Sequence, residues 1–124
     1  MQHKIFTREV LDKLAANGRA TREAQRAGER EPDHQPVIKI FNPYGGATWL
    51  FTESDPDDAD RLFGLCDLGM GFPELGYASR RELEDVRVHI GRHGLPLERD
   101  SGFRAKNTLS VYADEARTCQ RIRA

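Results

Sequence analysis

The segment from Arg61 to Phe103, RLFGLCDLGMGFPELGYASRRELEDVRVHIGRHGLPLERDSGF, constrains the fold most, because its polar and apolar residues alternate strand, turn, capped helix and strand. Leu62, Phe63, Leu65 and Leu68 flank Cys66 in a short apolar run broken by Gly64, which suits a buried strand better than a helix. Gly69, Gly71 and Pro73 force a turn. Phe72, Leu75 and Tyr77 then carry a second extended piece, and Pro73 marks it as an edge strand or a strand start. Ser79 followed by Glu82 forms a capping box, so a helix is expected to open at Arg80. Its apolar positions Leu83, Val86 and Ile90 share a face, while Arg80, Arg81, Glu84, Asp85 and Arg87 point to water. Gly91 and Gly94 are its expected terminators. Leu95, Pro96 and Leu97 lead into Glu98, Arg99 and Asp100.

The rest of the chain extends this α+β pattern. Phe6, Thr7 and Leu11 form a hydrophobic staple around an N-cap, opening a helix with Val10, Leu11, Leu14 and Ala15 on one face and Gly18 at its end. Residues 19–35 are charged and nearly free of large apolar side chains, which predicts a polar connector, either a mobile linker or an exposed helix. Two β-rich runs, Val37 to Phe41 and Thr48 to Phe51, surround the turn residues Asn42, Pro43, Gly45 and Gly46 as a hairpin does. Thr108 to Arg121 is helical in pattern, with Leu109, Tyr112, Ala113 and Ala116 on one side. The expectation is a single domain over residues 1–124. An antiparallel sheet of four or five strands packs with an N-terminal helix, a capped middle helix and a C-terminal helix.

Composition excludes several classes of function. No apolar run approaches the roughly 20 residues of a membrane-spanning helix. The opening MQHKIFTREVL has neither the apolar stretch nor the cleavage site of a secretory signal. Cys66 and Cys119 are too few for a disulfide framework, which predicts free thiols in a reducing cytoplasm. A net charge of -1 and a pI near 6.4 argue against a generic nucleic-acid binder.

Several motifs resemble chemistry without completing it. His89 and His93 have the spacing of two metal ligands on a helix, but Ile90 stands where the zincin pattern needs glutamate. The acidic run from Asp55 to Asp60 lacks the glycine and terminal glutamate of a calcium loop, and is better read as a turn and helix cap. Gly69, Gly71 and Gly76 do not open a helix as a dinucleotide loop does. Cys66 lies in an apolar run, where a thiol is ordinarily inert. No catalytic residue, metal site or cofactor is assigned.

Two sets of residues remain as candidates. Glu74, Tyr77, Glu98, Arg99 and Asp100 interrupt apolar segments, and a sheet that brought them together would form a polar pocket for an anionic group. The preferred reading of the same residues is a structural ion-pair network that pins strand register and loop ends. Trp49, with Glu53, Asp55, Asp57 and Asp58, is a candidate interaction surface, against the alternatives of an aromatic packed in the sheet and an ordinary solvated acidic loop.

The stretches FGLCDLGMGFPELGYASRRELEDVR and GLPLERDSGF, with TREVLDKLAANG, TWLFTESDPDDADRLFGLCDLG and TLSVYADEAR around them, resemble an uncharacterised bacterial family, a domain of unknown function met mostly on plasmids, phages and integrative elements. The connection VHIGRHGLPLERD is a few residues longer than that pattern, and the tip NPYGGAT is worded differently. The resemblance implies a mobile-element setting and brings no activity with it. The expected function is therefore a non-enzymatic accessory protein that binds another protein, in plasmid maintenance or counter-defence. One rival is a small enzyme acting on an anionic substrate through Glu74, Tyr77, Glu98, Arg99 and Asp100. Another is weak nucleic-acid binding through the basic tail of Arg104, Lys106, Arg117, Arg121 and Arg123.

Overall fold

The structure, a computed structural model, describes residues 5–124; the first four residues of the opening read above for targeting signals lie outside it. Helix α1 (Arg8–Arg26) starts where Thr7 Oγ1 accepts the Val10 amide hydrogen at 3.2 Å, and Phe6 is buried beside it as the staple requires. The helix does not stop at Gly18. Its buried stripe is Leu14, Gly18 and Thr21, and the last two are too small to register as an apolar face in the sequence. Gly18 is there for close approach: a Cβ on it would lie 1.9 Å from the Ser54 carbonyl oxygen. Part of the polar connector is thus helix. The remainder, up to β1, has no regular structure, yet His34 hydrogen-bonds Thr21 at 3.0 Å and accepts the Leu109 amide hydrogen at 2.9 Å through its carbonyl.

Strands β1 (Ile38–Phe41), β2 (Thr48–Asp55), β3 (Asp58–Asp67) and β4 (Glu74–Ser79) form an antiparallel meander. The first turn is held by Asn42, whose side chain accepts the Tyr44 amide hydrogen at 2.9 Å. The second is Pro56 and Asp57 alone, so the acidic run caps a β-turn and not a helix. Helix α2 (Arg80–Asp85) follows β4 directly. Ser79 Oγ accepts the Glu82 amide hydrogen at 3.2 Å, and Asp60 on β3 takes the Ser79 hydroxyl at 2.6 Å and the Arg81 amide at 2.8 Å.

The predicted helix to Gly91 is overturned here. Only Leu83 of its apolar face is buried on α2, and Val86 already has extended backbone. Val88–Ile90 and His93–Leu95 form a separate hairpin, β5 and β6, around the two-residue turn Gly91 and Arg92, with Gly91 at φ +63°. Val86, Val88 and Ile90 are β-branched, and glycine supplies the positive φ such a turn needs. His89 and His93 therefore sit on facing strands one pair out of step, not on one helix face.

Strand β7 (Glu98–Arg99) pairs with β1, giving the sheet order β4-β3-β2-β1-β7. Helix α3 (Leu109–Cys119) buries Leu109, Tyr112, Ala113 and Ala116, the four residues expected. Both sheet faces are covered. One cluster joins Trp49, Phe51, Ile38, Ile40 and Leu62 to Leu14 of α1 and Leu83 of α2; the other joins Leu50 and Leu65 to α3. The buried Asp67 carboxylate, at the end of β3, accepts amide hydrogens from Gly69 at 2.8 Å and Ile122 at 2.9 Å.

Gly18→Ala decides between propensity and packing. Helix propensity alone predicts a gain of about 1 kcal/mol for alanine. The Ser54 contact predicts the opposite sign, a loss of about 1–3 kcal/mol from overpacking, read as a lower urea midpoint in chemical denaturation.

Candidate functional site

The acidic candidates are mostly occupied. Arg22 reaches from α1 to Asp55 at 3.1 Å and Asp57 at 2.9 Å, clamping the helix to the β2–β3 turn. Glu53 is half-buried at the same place, lining a small hollow with Thr21, Glu31 and Tyr77, and only Asp58 of the set stands exposed without a cation. Burial raises the Glu53 carboxyl above the usual glutamate range, against hydrogen bonding to Thr21 and the nearby His34. Trp49 is 9% exposed and belongs to the core beside Phe51, so it is no exposed aromatic platform.

The polar pocket does not assemble. Glu74 and Tyr77 lie on β4, whereas Glu98 and Arg99 lie on β7 and Asp100 directly follows it. These are opposite edges of a five-stranded sheet. Four strand spacings of about 4.8 Å put them about 19 Å apart. Tyr77 and Asp100 have local partners instead. The Tyr77 ring lies beside Phe63, with centroids 5.1 Å apart, and under the Arg61 guanidinium at 3.8 Å. Asp100 pairs with Lys39 at 3.7 Å and accepts the Gly102 amide hydrogen at 3.0 Å.

Each edge has its own concavity. Arg99 and Asp100 line an open groove of about 760 Å³ between the first half of α1 and the 99–105 loop, where Lys13, Arg104, Glu9 and His34 also meet. Its charges are mixed, and Arg104 spends a guanidinium nitrogen on the Phe103 carbonyl at 2.8 Å.

The groove at the β4 edge has a different character. Its volume is about 370 Å³, and Trp49, Leu68, Phe72, Leu83 and Val86 line it, with Cys66 among them. Glu74 and Glu82 are the charged groups in its lining, and neither forms an ion pair among the described residues. The turn between β3 and β4 builds its outer wall. Gly69 and Gly71 have φ of +80° and +86°, and Asp67 holds the Gly69 amide, so Leu68, Met70 and Phe72 are turned outward. They are 59%, 69% and 79% exposed. Three neighbouring large apolar side chains at that exposure form a patch that solvation alone does not explain. The outer side of β4 has no strand partner among the described residues.

The signal for this site was in the wording LGMGFP. Apolar residues interleaved with glycines in a turn belong to no helix or strand that could bury them. Among the described residues no three His, Cys, Asp or Glu side chains come together to hold a metal ion, and no helix is long and apolar enough to cross a membrane.

Residues 5–123 match the family described as "Protein of unknown function (DUF2958)". The chain belongs to that family. No curated protein and no solved structure matches the DUF2958 chain.

Two measurements check this geometry. Burial pushes the Cys66 thiol of the DUF2958 chain up to about 11. Iodoacetamide should therefore modify Cys66 far more slowly than free cysteine near neutral pH, the rate climbing as pH approaches that value, by peptide mass analysis. Glu53, with its folded value raised, contributes full stability only below the ordinary glutamate range and loses it as pH rises through the folded value. Glu53→Gln should thus raise stability at neutral pH, with the gain vanishing in acid, read as the difference in urea midpoint between variant and wild type at the two pH values.

Proposed function

We propose that this DUF2958 chain is a non-enzymatic interaction protein of a bacterial mobile genetic element, acting in the cytoplasm by binding another protein through the β4 edge. The observation that carries this reading is the exposure of Leu68, Met70 and Phe72 beside a strand whose outer side is unpaired among the described residues. The mobile-element setting, in plasmid maintenance or counter-defence, rests on the sequence resemblance.

The enzymatic alternative required Glu74, Tyr77, Glu98, Arg99 and Asp100 to converge, and the sheet order separates them. The nucleic-acid alternative rests on the basic tail. Arg117 there is paired with Asp114 at 2.6 Å, and the chain as a whole is weakly acidic, which favours a protein partner.

The test is capture from a bacterial host with the wild-type chain, Met70→Ser and Phe72→Ser. These side chains are exposed, so both variants should keep the wild-type melting temperature within a degree or two, as surface substitutions do. A partner held by the wild type should bind each variant at least about tenfold more weakly, as expected for loss of an aromatic or apolar anchor. Capture that is absent, or indifferent to both substitutions, overturns the reading.

A further inference from the structure

We propose that the open side of β4 receives an extended segment of a partner protein as an added strand, whose groove-facing side chains are apolar in the middle and basic at both ends. This rests on the protein-binding reading above and specifies the partner's chemistry.

The sheet has two open edges, and they differ. Strand β7 has two residues, too few to template a partner. Strand β4 has six and runs against β3 in unbroken register from Cys66↔Glu74 to Arg61↔Ser79. Natural edge strands are protected by lysine, proline, bulges or a covering element. Strand β4, ELGYAS, has none of these within it: Pro73 precedes it, α2 follows it, and its outer side is unpaired among the described residues. A strand laid there gains main-chain hydrogen bonds, the general mode of strand addition.

Side chains of an added strand alternate between the two sheet faces. On one face they meet the groove of Trp49, Leu68, Phe72, Leu83 and Val86, whose walls take apolar groups. The charges select the ends. Glu74 begins β4, and Glu82 lies just beyond its end, in α2; both line the groove, which contains no cation among the described residues. A lysine or arginine at each end of the incoming segment meets a carboxylate. A second copy of this chain fits poorly, because its own β4 carries a carboxylate and no cation. An anionic membrane surface is disfavoured by the same two carboxylates.

The experiment uses the full chain and the synthetic peptide Lys-Thr-Leu-Thr-Phe-Thr-Lys. Binding by calorimetry should be accompanied by slowed amide exchange across residues 74–79 and slower alkylation of Cys66 at the groove wall. Replacing both peptide lysines by glutamate should weaken binding by about tenfold or more, and Glu74→Lys with Glu82→Lys should restore the glutamate peptide. N-methylation separates strand addition from side-chain docking: methylating one alternate set of peptide amides should abolish binding, while methylating the other set is tolerated.

Equal binding of the lysine and glutamate peptides overturns the proposal, as does equal tolerance of both methylated sets. If Phe72→Ser loses a captured partner but the peptide leaves the β4 amides unprotected, strand addition fails while the protein-binding reading stands. Concentration-dependent dimerisation that protects β4 without peptide assigns the edge to a second copy and overturns it. So does binding to phosphatidylserine vesicles in the absence of peptide binding.

Discussion

The whole molecule depends on the middle of β2 being buried from both sides. Trp49 and Phe51 face α1 and α2, Leu50 faces α3, and Phe51 and Leu50 have no exposed surface. A strand in that position must have a neighbour on each edge and a helix on each face. Strands β1 and β3 supply the first, and the helices the second. Both requirements bring backbone unusually close, and glycine meets them: Gly18 against Ser54 on the α1 side and Gly64 against Leu50 within the sheet, where a Cβ would lie 2.0 Å from the Leu50 carbonyl oxygen. Polar clamps then fix the periphery. Arg22 joins α1 to the β2–β3 turn, Asp60 joins β3 to the start of α2, and Asp67 joins the end of β3 to the segment after α3.

With both faces covered, the sheet can offer a partner only its edges and the turns beside them. That geometry separates the two polar signatures and gives each edge a distinct chemistry. The β7 edge is short and mixed in charge, and its groove is bordered by groups already bound to their own loop. The β4 edge is longer, apolar and bordered by carboxylates. The contrast arises from the order in which the chain crosses the sheet, since everything between β4 and β7 lies outside the five strands.

Much of the fold was legible in the sequence. A β-rich run marked β2, an apolar run broken by Gly64 marked β3, Ser79 marked the start of α2, and Leu109, Tyr112, Ala113 and Ala116 marked the buried side of α3. Three features were not, each for a physical reason. Leu83, Val86 and Ile90 satisfy a helical spacing, but Val86, Val88 and Ile90 also alternate, and tertiary context chose the strand. Gly18 carries both the signature of a helix end and that of a close contact, and only the position of Ser54 separates them. Strand order has no local signature at all, so a pocket joining Glu74 to Arg99 was only a conditional reading, and four strand spacings divide them. The exposed turn was the reverse case. Leu68 read as part of the buried run, but β3 ends at Asp67 and the glycines that follow turn it outward.

The β5–β6 hairpin reaches its tip at Gly91 and Arg92, both exposed, while Val88 at its base packs on the core. A finger anchored only at its base is open to growth. Residues inserted as facing pairs at the tip lengthen both arms together and leave the orientation of Val88 and Leu95 unchanged. Growth of the finger in this way leaves the five-stranded sheet untouched, because neither β5 nor β6 belongs to it.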